Sequence, residues 1–146
     1  MIHIAEVRVA LIREKTLKYD ASRLIHCSDD AAAILKEFFS DKDREHFVLL
    51  LMTTRHNIIG LNVAHIGSES ESVASPASCL KAALLANAQA VILAHNHPSG
   101  CPSPSVEDKA LTKKFVEAFR LCDIQVLDHI VIGGDEHFSF ADSGLI

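Results

Sequence analysis

No two cysteines in this sequence share a C-x-x-C spacing, no apolar run reaches the roughly 18 residues needed to span a bilayer, and no excess of positive charge is available to neutralise phosphates. Each absence removes a class of function. Cys27, Cys79, Cys101 and Cys122 are scattered along the chain, which fits a reducing cytoplasm. No signal-peptide h-region is visible, so neither secretion nor a membrane partner is expected. The formal charge of −5 argues against a protein whose affinity comes from phosphate contacts, and direct nucleic-acid binding is therefore not expected. No internal repeat recurs. What remains is 146 residues, 49% hydrophobic and 23% charged, the balance of one globular domain long enough to bury a core.

The densest chemistry lies in residues 90–108, A-V-I-L-A-H-N-H-P-S-G-C-P-S-P-S-V-E-D, where an apolar run of strand type meets two histidines and a turning loop. In an extended chain, side chains i and i+2 leave the same face with origins only about 6 to 7 Å apart, so His95 and His97 can meet one ion. Imidazole nitrogens bind zinc at roughly 2.0 to 2.1 Å, which leaves room for a third ligand and a water. Asp108 is the natural third ligand, because Pro98, Gly100, Pro102 and Pro104 can turn the chain back beneath the histidines. A plainer reading stands beside this one: histidines at a strand end are often simply polar residues where a buried strand surfaces. Ser105 and Asp108 also spell S-x-x-D before an apolar-periodic run, a helix N-cap with a capping-box partner. The two readings are compatible, since a carboxylate has two oxygens.

Along the chain, Ile2, Ile4, Val7, Val9 and Leu11 alternate with polar residues, predicting a strand with one solvated face over residues 2–13. Ser28, followed by Asp29 and Asp30, is expected to cap a helix through Phe39 with Ala32, Leu35 and Phe39 buried. The charged connector 41–45 leads into an apolar strand over 46–52. A turn at 54–57 precedes a strand over 58–66, and residues 68–72 read as a short polar loop. Ser75 and Pro76 open a helix to Asn87, expected to be mostly core, with Cys79 packing inside it. The helix at 106–121 sets Ala110, Leu111, Phe115, Ala118 and Phe119 on one side against Lys109, Lys113, Glu117 and Arg120. A strand over 124–132, a turn at Gly133-Gly134-Asp135 and a short strand over 136–140 close the chain. His129 follows Asp128, but adjacent strand residues face opposite ways, so His129 is read as structural or as supporting the site from behind. His3, His26, His46, His56, His65 and His137 carry no assignment. The order β-α-β-β-α-β-α-β-β predicts an α/β domain, a mixed sheet with helices on both faces.

His95-x-His97-Pro98, six residues, then Ser105-x-x-Asp108 resembles the H-x-H-P-x6-S-x2-D core of the JAMM (MPN+, or JAB) metallopeptidases. V-I-L-A-H-N-H-P-S-G, S-x-E-D and L-D-H-I-V-I-G are closer still to the RadC branch, and the likeness runs over residues 27–146, leaving 1–26 as an N-terminal strand extension. The resemblance implies a single JAB/MPN-type, cytidine-deaminase-like domain over 1–146, with one zinc ion per chain on His95, His97 and Asp108. Bottom-up, nothing prefers Glu45 over Glu37, Asp41, Asp43, Glu69 or Glu71 as a base. The family pattern does, since Glu45 opens the strand in D-R-E-H-F-V-L-L-L, and it implies Glu45 as general base and Ser105 as support for the oxyanion. Glu45, the histidines and Asp108 would then gather at one sheet edge, from two strands and one helix start. Three protein ligands leave a fourth position for water, the arrangement of a catalytic zinc, and the implied reaction is hydrolysis of an amide bond. A peptide or protein is the implied substrate, an isopeptide or a ubiquitin-like tail among them.

Cys101, in the loop between the ligands, reads either as a thiolate able to take the water's place or as packing. Full-length RadC proteins carry a helix-hairpin-helix region before this domain, and no such segment is visible in residues 1–26. The rival enzyme class, a zinc deaminase, needs H-x-E and P-C-x-x-C, and neither is present. The contiguous H-N-H is a coincidence with a nuclease whose residues are dispersed. The serious alternative is non-enzymatic: a RadC-like accessory protein in DNA repair or recombination that keeps zinc as scaffold.

Overall fold

The two most apolar strand runs become the middle of the sheet. In the structure, a computed structural model that describes residues 1–67 and 74–146, β1 (Glu45–Met52) and β3 (Ala90–Asn96) lie side by side and are buried along almost their whole length. A strand covered on both faces must be apolar at every position, and the runs F-V-L-L-L-M and A-V-I-L-A meet that demand. The sheet order is β2-β1-β3-β4-β5, with β2 (Ile58–Gly67) and β5 (Glu136–Ser139) at its edges and β4 (Gln125–Gly133) beside β3. The β3–β4 pair is parallel and the other three are antiparallel, so the sheet is mixed.

Helix α1 (Ser28–Phe39) covers one face, burying Ala31, Ile34, Leu35 and Phe38 against Val48, Leu50, Ile92 and Ile130. Helices α2 (Pro76–Leu85) and α3 (Val106–Arg120) cover the other, where Cys79, Ala83, Phe115 and Phe119 meet Phe47, Leu49, Val91 and Leu93. The alternation of β1 and β3 side chains between these two layers fixes which residues face α3. The architecture is the expected α/β one, a mixed sheet between helices. No helix among the described residues is long and apolar enough to cross a membrane.

Several expectations need correction. Residues 2–13 form no strand, and their apolar side chains, Ile2, Ile4, Val7 and Val9 among them, are exposed. Alternation makes a strand only where a neighbouring backbone is free to pair, and the first bridge along the described chain comes later, Leu24 with Asn57. The element order is accordingly α-β-β-α-β-α-β-β. Cys27, not Ser28, is the N-cap of α1: the Asp30 carboxylate accepts from the backbone of His26 at 2.8 Å and Cys27 at 3.3 Å, while the Ser28 hydroxyl donates to Asp142. Helix α2 is not mostly core. It packs on α3 and β2 at the rim of its layer, so only Cys79 and Ala83 are buried while Leu84 stays 52% exposed. It stops at Leu85 because Asn87 adopts a left-handed φ of 54°. In α3, Ala110 is exposed and Thr112 takes a buried place. The loop 68–72, with Glu69 and Glu71, lies outside the described residues.

Candidate metal centre

Three local devices bring the site together where β3 ends. His95 pairs opposite Phe47 of β1 and Val131 of β4, and its side chain points to the α3 face with Val91 and Leu93. Asn96 points the other way: its amide oxygen accepts from the backbone N–H of His46 at 2.7 Å and its amide donates to the Arg44 carbonyl at 2.9 Å. That clamp ties the first residues of β1 to the last of β3. His97 continues the ladder, donating its N–H to Ile132 O at 2.8 Å, and Gly100, with φ of 89°, then reverses the chain by donating to His97 O at 3.0 Å.

The third device is the start of α3. The Ser105 N–H donates to Asp108 Oδ2 at 2.7 Å and the Asp108 N–H donates to Ser105 Oγ at 3.0 Å, a reciprocal cap. The cap fixes the Asp108 carboxylate and leaves Oδ1 directed at His95 Nε2, 3.3 Å away, while Oδ2 lies 3.4 Å from His97 Nε2. The two Nε2 atoms are 3.0 Å apart. One donor atom from each of His95, His97 and Asp108 thus lies within 4.8 Å of the others.

The chemistry of this donor set suits a cation. The Nδ1 of His97 lies 2.8 Å from the Cys101 carbonyl oxygen, which can only accept, so in the neutral ring Nδ1 carries the proton and Nε2 offers a lone pair to the centre. Burial alone would raise the Asp108 carboxyl, yet hydrogen bonds with His95 and His97 and the Ser105 N–H hold it well below the usual carboxylate range. The Asp108 carboxylate in turn raises His97 above the ordinary imidazole value against the opposing effect of its burial. In a tetrahedral zinc site with bonds of about 2.0 to 2.1 Å, donor atoms lie roughly 3.3 Å apart. The two Nε2 atoms at 3.0 Å, and their contacts of 3.3 and 3.4 Å with the two carboxylate oxygens, are of that order, and one donor atom from each residue lies within 4.8 Å of the others, so the residues fit such an ion. His95 is 1% exposed, but His97 and Asp108 are 19% and 13% exposed, so the centre is open on one side.

The antiparallel register that sets Phe47 opposite His95 carries Glu45 toward the level of His97 on the same face, and the Glu45 charge contributes to the raised His97 value. Of the other acids, Glu37 sits on α1 across the sheet and Asp41 pairs with Lys42, both on the far side from α3. Asp43 is exposed and lies near Arg44, while Glu69 and Glu71 are outside the described residues. The group assembles at the ends of two inner strands, not at an edge strand, because β1 and β3 are the middle of the sheet. Ser105 serves as the cap and stands beside Asp108. Cys101 contributes its carbonyl; its thiol is exposed, and hydrogen bonds from Ser103 lower it. Cys79 is the packing residue expected, with burial pushing its thiol up to about 12.

Two supporting residues escape a reading of the sequence, Asn96 and Thr112. Their only local signal is a polar side chain at a position whose neighbours are core. His129 does stand behind the site, its Nε2 at 2.8 Å from His95 Nδ1, while Asp128 faces away and accepts from Ser139 Oγ at 2.6 Å and Ala141 N at 2.9 Å.

Residues 25–145 match the family described as RadC-like JAB domain. Among curated proteins, the UPF0758 protein of Desulforamulus reducens is 42% identical over 123 residues, 84% of this chain and 54% of that one. The UPF0758 protein of Coxiella burnetii is 42% identical over 120 residues, 82% of this chain and 54% of its own. That of Methanosarcina acetivorans is 37% identical over 143 residues, covering 98% of this chain and 62% of its own. This chain spans a little over half the length of the first two relatives.

Proposed function

Because the chain belongs to the RadC family through its JAB domain, we propose that it is a JAMM-type zinc metallopeptidase that hydrolyses an amide or isopeptide bond in a peptide or protein substrate. The observation that carries this reading is the convergence of His95, His97 and Asp108 at one solvent-open point beside Glu45. His95, His97 and Asp108 would hold the ion, and zinc supplies Lewis acidity, lowering the pKa of a water to about 7 and polarising a carbonyl. Glu45 takes the proton of the attacking water and passes it to the departing amine. Ser105 supports the developing oxyanion. Its oxygen accepts from the Asp108 N–H, which leaves the hydroxyl proton without an acceptor among the described residues and free to be donated. On this reading the protein works in a reducing cytoplasm, which its scattered free cysteines suit.

The test has two parts. About one equivalent of zinc should copurify and be lost in the double variant His95→Ala with His97→Ala; full retention would end the ligand assignment. Glu45→Gln should keep the metal and lose hydrolysis of a responsive amide from a peptide and isopeptide library. Zinc retained with no chelator-sensitive hydrolysis of any library member by the wild type would favour the non-enzymatic accessory role.

A further inference from the structure

A buried chain of hydrogen bonds runs behind the metal centre and returns to it. The His95 Nδ1 lies 2.8 Å from His129 Nε2, His129 Nδ1 lies 2.6 Å from Thr112 Oγ1, and Thr112 Oγ1 lies 2.7 Å from the backbone oxygen of Asp108. We infer that His129 and Thr112 are positioning residues that fix the tautomer of His95, so that its Nε2 presents a lone pair to the metal centre. The inference rests on the reading of His95, His97 and Asp108 as ligands.

The direction of the chain follows from its end. A carbonyl oxygen can only accept, so the 2.7 Å contact commits the single hydroxyl proton of Thr112 to Asp108 O. Thr112 Oγ1 must then accept from His129, which puts the His129 proton on Nδ1. His129 Nε2 is left as an acceptor, and it takes the Nδ1 proton of His95. In the neutral ring, His95 Nε2 is then bare, and an ion would stand where the proton shared with Asp108 otherwise lies. The opposite direction, with Thr112 donating to His129, would put a proton on His95 Nε2 and close it to any metal. That arrangement breaks the 2.7 Å bond to Asp108 O, and the bond it gains in exchange is made by a proton on His95 Nε2 facing Asp108 and His97, the place the ion would take.

The surroundings leave His129 no other partner among the described residues. Its ring is 0% exposed and stacked on Phe140, with centroids 4.8 Å apart, while Phe47 meets it edge-on at 5.6 Å. Neither aromatic ring can accept from Nδ1 as a hydroxyl does, so the tautomer is decided by Thr112 and His95 alone. The chain begins on the backbone of Asp108 and ends on the ring of His95, so the start of α3 and the end of β3 are held in one arrangement through β4. An imidazole ligand whose second nitrogen is so anchored loses the freedom to turn or to exchange tautomers.

The test uses Thr112→Val, which keeps the shape and removes the hydroxyl, and Thr112→Ser, which restores it. Zinc affinity by chelator competition should fall about tenfold or more in Thr112→Val and stay within about threefold of wild type in Thr112→Ser, with both folded by thermal melt. Long-range nitrogen–proton correlation spectra of the zinc-loaded wild type should place the His129 and His95 protons on Nδ1. Wild-type affinity in Thr112→Val, or a His129 proton on Nε2, would overturn the inference. If the wild type takes up no zinc, the ligand reading falls, and the metal-free spectrum decides this one by the same signature: Nδ1–H on His129 supports it, Nε2–H refutes it.

Discussion

Replacing Gly133 with alanine tests how tightly the loop between the proposed ligands is held. A Cβ at Gly133 would sit 2.4 Å from Pro102 N, 2.5 Å from the Cys101 carbonyl carbon and 2.8 Å from Gly100 O, all of them backbone atoms. Ordinary contact begins near 3.5 Å, so the loop must retreat by about 1 Å. Overpacking of this kind costs about 1 to 3 kcal/mol. For a chain of this size that is a fall in Tm of roughly 2 to 12 °C. The retreat also draws the Cys101 carbonyl from His97 Nδ1, now 2.8 Å apart, toward a separation at which no hydrogen bond remains. Losing that bond, worth about 0.5 to 1.5 kcal/mol, should weaken zinc affinity about 2- to 10-fold. Calorimetry reads the first effect and chelator competition the second. Gly134→Ala is the control: its nearest neighbour would be Gly100 O at 3.8 Å, but its φ of 59° strains any side chain, so stability falls while affinity holds. Wild-type affinity in Gly133→Ala, or equal losses of affinity in both variants, would refute the account of the loop.

Other expectations follow from the same contacts. His97 is raised by the Asp108 carboxylate, so its contribution to metal-free stability is full below the unfolded imidazole value of about 6.5 and is lost as pH rises through the higher folded value. Asp108 is depressed, so its contribution is full above about 3.9 and is lost as pH falls through the folded value. Metal-free Tm should therefore decline above about pH 7, and a Tm rising steadily from pH 5 to 9 would contradict this. Zinc affinity should run the other way, rising with pH by up to about tenfold per unit until His97 is neutral, as proton and metal compete for one nitrogen. Ser105→Ala should cost about 1 kcal/mol of stability through the lost cap and lower kcat about 10²- to 10³-fold; unchanged turnover would reduce Ser105 to a cap.

What the sequence made legible is what is encoded within a few residues. The i, i+2 spacing of His95 and His97 and the S-x-x-D start of α3 are local rules, and both appear in the structure as read. The run of β1 needed only its own composition to be read as a strand buried on both faces, and that of β3 to be read as a strand. Residues 2–13 carry a strand's alternation too, but a strand is made by its partner, and no local pattern says whether one exists. Helix α2 is apolar nearly all round yet half uncovered, because its burial depends on where the sheet stops.

The residues behind the site were hidden for the same reason. Asn96 reaches His46 across 50 positions of sequence and Thr112 reaches His129 across 17, so neither has a spacing to betray it. The site is therefore layered by range of interaction. Short-range geometry presents the donor atoms and, through Cys101 O, sets the bare nitrogen of His97, while long-range hydrogen bonds bear on the ring of His95 and on how firmly β1 stands beside β3. A substitution in the first layer should remove the metal outright, whereas one in the second should leave a folded protein that binds it more weakly. That difference in kind is what separates His95→Ala from Thr112→Val.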